Sequence, residues 1–172
     1  MNPVEVNEPE VNRTYDTLKT DAEEGGYRLN PDIGFVKNLV RGLLKNELRY
    51  GYRACPCRLA SGKKDDDLDI ICPCDYRDPD LDNFGACYCA LYVTVPVLSG
   101  QQKLTPIPER RPSRAERKNK KADQPAAARS TFTTLPYPVW RCKVCGYLCA
   151  RDQPPGICPV CKAKKDRFER FI

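Results

Sequence analysis

Eleven cysteines and no histidine in 172 residues restrict this chain more than any other feature of it. Without an imidazole there can be no Ser-His-Asp or Cys-His arrangement, no histidine-ligated zinc protease site and no histidine-held haem, because each needs that ring's proton or lone pair near neutral pH. Cysteine has to carry the chemistry, and the cysteines are grouped. Cys55-Pro56-Cys57, Cys72-Pro73-Cys74 and Cys87-Tyr88-Cys89 form one series, while Cys142-Lys143-Val144-Cys145 and Cys158-Pro159-Val160-Cys161 form another, with Cys149 between its two pairs. A chain of this length makes one ordinary domain or two small ones, and a small second module needs a metal or a disulfide to hold it.

Residues 1–10 carry Glu5, Glu8 and Glu10 and no basic residue, unlike the start of a secretory signal. The longest apolar stretch, Ala90 to Leu98, is too short to cross a bilayer. The expectation is a soluble, cytoplasmic protein without membrane attachment. In a reducing compartment, eleven cysteines point to metal binding or redox work rather than to a disulfide framework. The net charge of +6 is uneven: residues 1–108 hold 13 basic and 17 acidic side chains, whereas 109–129 and 130–172 each hold 8 against 3. Such a basic C-terminal part attracts acidic partners. Specific nucleic-acid recognition is not expected, because 109–129 contain no aromatic residue to stack on a base.

Residues 1–29 read as one capped helix ending near Gly25-Gly26. Asn30 is expected to cap a second helix with Pro31 at its first position; Val36, Leu39, Val40, Leu43 and Leu44 then recur at helical spacing until Tyr50-Gly51 closes it. Asp78-Pro79 offers a third helix start. Residues 113–135 are rich in Pro, Arg, Lys and Ala and bury too little apolar surface to order themselves, so they read as a linker. The resulting division is 1–112, linker 113–135, and 136–172.

Two Cys-x-x-Cys pairs separated by twelve residues can wrap one ion tetrahedrally, making Cys142, Cys145, Cys158 and Cys161 a metal site that admits iron or zinc. The six upstream cysteines admit a [4Fe-4S] cluster plus a dithiol, two zinc sites sharing ligands, or a [2Fe-2S] site with spare thiols.

Two stretches carry family resemblances. Trp140 to Tyr147 together with Gln153 to Cys161 closely resemble the short-loop rubredoxin appended to rubrerythrins, which implies a mononuclear iron with zinc as a substitute and an aromatic core from Trp140, Tyr147 and Phe168. Upstream, Phe35-Val36, Leu43-Leu44-Lys45-Asn46, Arg49-Tyr50-Gly51-Tyr52, the three cysteine pairs and Pro106-Ile107-Pro108-Glu109-Arg110-Arg111-Pro112 resemble the catalytic subunit of ferredoxin–thioredoxin reductase across roughly residues 12–112. The resemblance implies a multidomain protein with a mainly α-helical iron-sulfur catalytic domain and a small β-rich rubredoxin-like domain. It also implies that Cys55, Cys72, Cys74 and Cys87 ligate a [4Fe-4S] cluster and that Cys57 and Cys89 form the redox pair, with Cys57 as nucleophile. The implied partners are ferredoxin or another low-potential carrier and a thioredoxin-like disulfide; a homodimer is compatible with this reading. Plant-type members carry a histidine where Tyr88 stands, and a phenol with a reference pKa near 10 is a poor base. Arg53 and Arg58, flanking the first pair, could lower the pKa of the Cys57 nucleophile or meet an acidic partner, but the expectation is exposed solubilising charges. The alternative function is an iron-sulfur and rubredoxin electron-transfer protein in which Cys57 and Cys89 are spare.

Overall fold

The computed structural model describes residues 6–117 and 135–172. Helix α1 (Glu8–Glu24) begins where the Asn7 side chain accepts a hydrogen bond from the Glu10 amide. Glu8 and Glu10 in its first turn suit the positive end of a helix. Helix α2 (Ile33–Tyr50) starts later than Asn30 suggested. Asp32 is the cap, its Oδ1 accepting from the Phe35 amide at 2.9 Å, while Asn30 accepts from the Asp32 amide and so orders the capping residue. Val36, Leu39, Val40, Leu43 and Leu44 form the buried face, and Gly51, at φ 80°, ends the helix in the left-handed region that favours glycine. Val11 and Ala22 of α1 join the same core. Strand β1 (Arg28–Leu29) pairs antiparallel with β2 (Tyr92–Val93), clamping the chain that follows the third cysteine pair.

Between α2 and helix α3 (Arg77–Phe84) the chain makes 3-10 turns at Lys64–Asp66 and Leu68–Ile70, and a short helix α4 (Val95–Leu98) follows β2. Helices and 3-10 turns together cover about 40% of the described residues, so the architecture is one of helices with small antiparallel sheets, and the cysteine pairs lie largely on turns. Residues 106–112 return across these turns. Arg111 bonds Asp67 and Asp69 at 2.9 Å and the Leu59 carbonyl at 2.7 Å, and Arg110 lies 2.7 Å from Asp80. Asp67 is fully buried and accepts from Tyr52 Oη at 2.7 Å and the Ser61 amide at 2.6 Å. Burial opposes its charge, but the Tyr52 and Arg111 hydrogen bonds prevail and hold its carboxyl below the ordinary range. Of the expected linker, Ser113 and Glu116 form a reciprocal capping pair, and 118–134 lie outside the described residues.

In the C-terminal part, β3 (Val139–Cys142) is the centre of a three-stranded antiparallel sheet, with β4 (Leu148–Ala150) and β5 (Phe168–Arg170) on its two sides. Cys142, Val144, Cys158, Cys161 and Ala163 form the core, with Tyr147 and Phe168 against it. Trp140 does not join that core; its Nε1 donates to the Arg151 carbonyl at 2.9 Å. The third aromatic is Tyr27, from the turn after α1.

The two parts are therefore docked. Arg167 donates to the Ile71 carbonyl at 2.8 Å and to the Pro73 carbonyl at 3.4 Å and pairs with Asp75. Lys162 pairs with Glu24 at 2.8 Å and Lys64 with Asp166 at 2.6 Å. A β-carbon on Gly25 would collide with the Val160 carbonyl, so the backbones approach closely there. No helix of the described residues is long and apolar enough to cross a membrane.

Candidate redox and metal centres

The C-terminal site is built from two matching knuckles. The Gly146 amide bonds the Cys142 carbonyl at 2.9 Å and the Lys162 amide bonds the Cys158 carbonyl at 3.0 Å. Gly146 and Lys162 both turn left-handed, at φ 76° and 59°. The four sulfurs lie within 4.8 Å of one another, with Cys142–Cys161 at 3.5 Å and Cys145–Cys158 at 3.6 Å. Hydrogen bonds from Cys145 and then Cys161 pull the Cys142 thiol well below its ordinary range. A soft four-sulfur donor set of this closeness fits a single iron or zinc ion. Cys149 lies on β4 opposite Trp140, outside this group.

The upstream thiols are arranged differently, and among the described residues they form no such single-ion group. The first pair rests on α2, where Gly42 leaves room for Pro56: a β-carbon there would come within 2.7 Å of it. The Cys55 amide bonds the Ile70 carbonyl at 2.8 Å and the Cys72 amide bonds the Arg53 carbonyl at 2.9 Å, lacing the first pair to the second. The third pair is held by β2: the Cys87 amide bonds the Tyr92 carbonyl at 3.0 Å, and the Tyr92 amide donates to Cys87 Sγ at 3.3 Å. Cys55, Cys74 and Cys87 are buried, Cys72 is half-buried and Cys57 is exposed. Cys89 is in thiol contact with Cys55 and Cys57 and lies 3.8 Å from Cys87. Hydrogen bonds from Cys55 and then Cys89 lower the Cys57 thiol to about 3, whereas Cys89 is raised. Burial raises Cys72, and raises Cys74 to about 12.

Sequence reasoning missed Arg77, Tyr27 and Arg167 here and misjudged Arg58. Arg58 is buried rather than exposed: its Nη1 donates to Cys74 Sγ at 3.4 Å, and its guanidinium lies over the rings of Tyr76 and Tyr88 at 4.7 and 4.4 Å. Its place directly after Cys57 was the available signal. Arg53 is half-exposed and pairs with Glu47 at 2.6 Å. Arg77 is also buried, packed 3.6 Å from the Tyr27 ring centre. Arg58 Nη2 and Arg77 Nη2 are buried without a hydrogen-bond partner. Two orphaned cationic nitrogens among buried thiols, spread too widely for one ion, fit a larger anionic group such as an iron-sulfur cluster. Tyr27 joins both parts: its ring meets Tyr92 edge-on at 6.2 Å, packs on the C-terminal core, and lies near enough to Cys145 for that charge to act on it. Neither Tyr27 nor Arg167 has any local sequence signal.

Fold and sites together define a two-part thiolate protein, one part with a four-cysteine metal site and the other with a distributed six-cysteine centre. A family model of the ferredoxin thioredoxin reductase catalytic beta chain matches residues 4–107, and one of the rubredoxin-like domain of rubrerythrin matches 140–169. The chain belongs to the ferredoxin–thioredoxin reductase catalytic chain family and carries a rubredoxin-like domain C-terminal to it. The comparison with curated proteins finds no match.

Proposed function

We propose that this protein is a ferredoxin-dependent disulfide reductase with a tethered electron-transfer iron site. The observation that carries the reading is the exposed Cys57 thiol near half-buried Cys89, whose sulfur lies 3.8 Å from that of buried Cys87, in a reductase-family domain. Cys55, Cys72, Cys74 and Cys87 would hold a [4Fe-4S] cluster, which when bound supplies single electrons beside a disulfide that needs two. Cys57, exposed and favoured as thiolate by its neighbours, attacks one sulfur of a thioredoxin-like disulfide. That forms a Cys57–substrate bond and expels the other substrate sulfur, which takes a proton. Cys89 then attacks Cys57 Sγ and releases the second substrate thiol, leaving a Cys57–Cys89 disulfide. Two electrons, delivered singly by ferredoxin or another low-potential carrier, and two protons reopen it. The spacing of the site supports the division of labour, because Cys89 touches both the outward thiol Cys57 and the buried Cys55.

Cys142, Cys145, Cys158 and Cys161 would hold iron as a one-electron site. Docking through Tyr27, and through Arg167, which reaches the turn bearing Cys72 and Cys74, favours a role in the same reaction over that of a separate metal store. Cys57→Ser should abolish disulfide reduction while iron and sulfide contents stay at the wild-type level. Retained turnover in that variant, with metal intact, overturns the assignment.

A further inference from the structure

Arg58 is the most heavily engaged charged residue at the six-cysteine centre. Its side chain is 0% exposed. Besides the bond to Cys74 Sγ and the two tyrosine rings, its Nε donates to Glu109 at 3.0 Å, and its Nη2 lies 3.7 Å from Asp80. Arg110 lies 2.7 Å from the same Asp80, so the strap of residues 106–112 supplies both a carboxylate and a competing cation to this cluster of charges. A guanidinium kept in such a place is held there by specific contacts, because an unpaired buried charge is strongly disfavoured. The contacts also have a direction. One edge of the planar group is tied to carboxylates, another reaches a sulfur that the proposed function makes a ligand, and a face covers Tyr88, between Cys87 and Cys89.

We propose that Arg58 is a positioning residue that sets the reduction potential of the centre, by holding a fixed positive charge and a hydrogen bond at the Cys74 sulfur, with Glu109 limiting how much of that charge the sulfur receives. The inference rests on the proposed cluster at Cys55, Cys72, Cys74 and Cys87. The physical reason is general: hydrogen bonds and positive charge at cluster sulfurs favour the reduced state, because each arriving electron adds negative charge next to them. Because Arg58 also packs on Tyr88 and Tyr76, it ties the second and third cysteine pairs to the first. A surface arginine would do neither, and half-exposed Arg53 serves as the comparison.

The test uses the full-length protein, reconstituted anaerobically, with iron and sulfide counted before the midpoint potential is measured by titration with paramagnetic resonance detection. Arg58→Gln should lower the ratio of reduced to oxidised centre about tenfold at fixed potential, which is 59 mV for a one-electron couple. Arg58→Lys, which keeps the charge, should recover part of that loss, and Arg53→Gln should leave the midpoint where it is. Glu109→Gln, which frees Arg58 toward the sulfur, should shift it upward. An unchanged midpoint in Arg58→Gln at full sulfide content, or an equal fall in Arg53→Gln, overturns the proposal. If Arg58→Gln fails to assemble, Glu109→Gln decides: an upward shift supports the proposal and no shift overturns it. Wild-type protein without labile sulfide instead overturns the function reading itself.

Discussion

The two cysteine centres of this chain solve one problem, gathering thiols, by opposite means. At the C-terminal centre each pair makes its own knuckle, closed by the Gly146 and Lys162 amides, and one close sulfur group results from two local loops brought face to face. At the six-cysteine centre the Arg58 and Ala90 amides also close turns on the Cys55 and Cys87 carbonyls, but among the described residues these turns make no one close sulfur group. The pairs there are laced to each other by Cys55–Ile70 and Cys72–Arg53 backbone bonds, seated on α2 at Gly42, clamped by β2, and overlaid by a strap whose Arg110 and Arg111 reach buried carboxylates. A single-ion site can be specified by short-range spacing, whereas a distributed site has to be specified by the surrounding tertiary structure. Buried charge follows the same division in part: among the described residues Arg58, Asp67, Arg77 and Asp80 belong to the part with the distributed centre, and Arg167 reaches into that part from the C-terminal one.

The sharpest way to break this contrast is to remove one ligand at a time. Cys142→Ser should eliminate the C-terminal iron, leaving upstream iron and sulfide in place, and Cys55→Ser should do the reverse; iron counting with absorption spectra distinguishes them. Loss of both metals in either variant would mean that the centres assemble as one. Asp67→Asn comes next, because it leaves Arg111 buried without its full counter-charge and weakens the strap at a cost of about 3 kcal/mol at pH 7. The sign of its pH dependence follows from the depressed Asp67 carboxyl. Its stabilisation is fully present above the unfolded value of about 4 and is lost as pH falls through the lower folded value. Denaturant titrations should therefore show a constant gap between wild type and variant from pH 7 to about 4, closing below that.

Gly25→Ala tests the docking, since the added carbon meets the backbone of Val160; about 2 kcal/mol is expected from such overpacking. Thermal unfolding should split into two transitions, while Gly156→Ala, whose added carbon meets nothing within 4 Å, should shift nothing. The smallest effect is that of Tyr27→Phe, which deletes the 3.2 Å hydrogen bond to Asp78 but keeps the ring between the two parts. Its cost is about 1 kcal/mol, measurable as a small fall in the melting temperature with both metal contents unchanged.

Much of the site was legible because ligand chemistry is written locally. The Cys-x-x-Cys spacing of residues 142–161 was enough to expect one ion, and the three Cys-x-Cys pairs were enough to single out the six thiols that the fold brings into one region. The apolar face of α2 was equally plain from its period. Its start was not, since Asn30 and Asp32 both have capping side chains and only the backbone path chose between them. Arg58 was misjudged for a similar reason: arginine is usually exposed, and the acidic and sulfur partners that bury it come from positions 16 to 51 residues away in the chain.

Sequence alone therefore determined which atoms are available for the chemistry, because the identity and spacing of thiols are covalent properties of the chain. It also determined that histidine plays no part. Tertiary structure decided the rest: that Cys57 is exposed while Cys89 is half-buried, that Arg58 is buried against Cys74 and Arg77 against Tyr27, and that Tyr27 completes the core of the C-terminal part. Each of these depends on contacts between distant segments, whose free energy comes from burial and charge pairing in the assembled fold and leaves no periodic trace in the sequence.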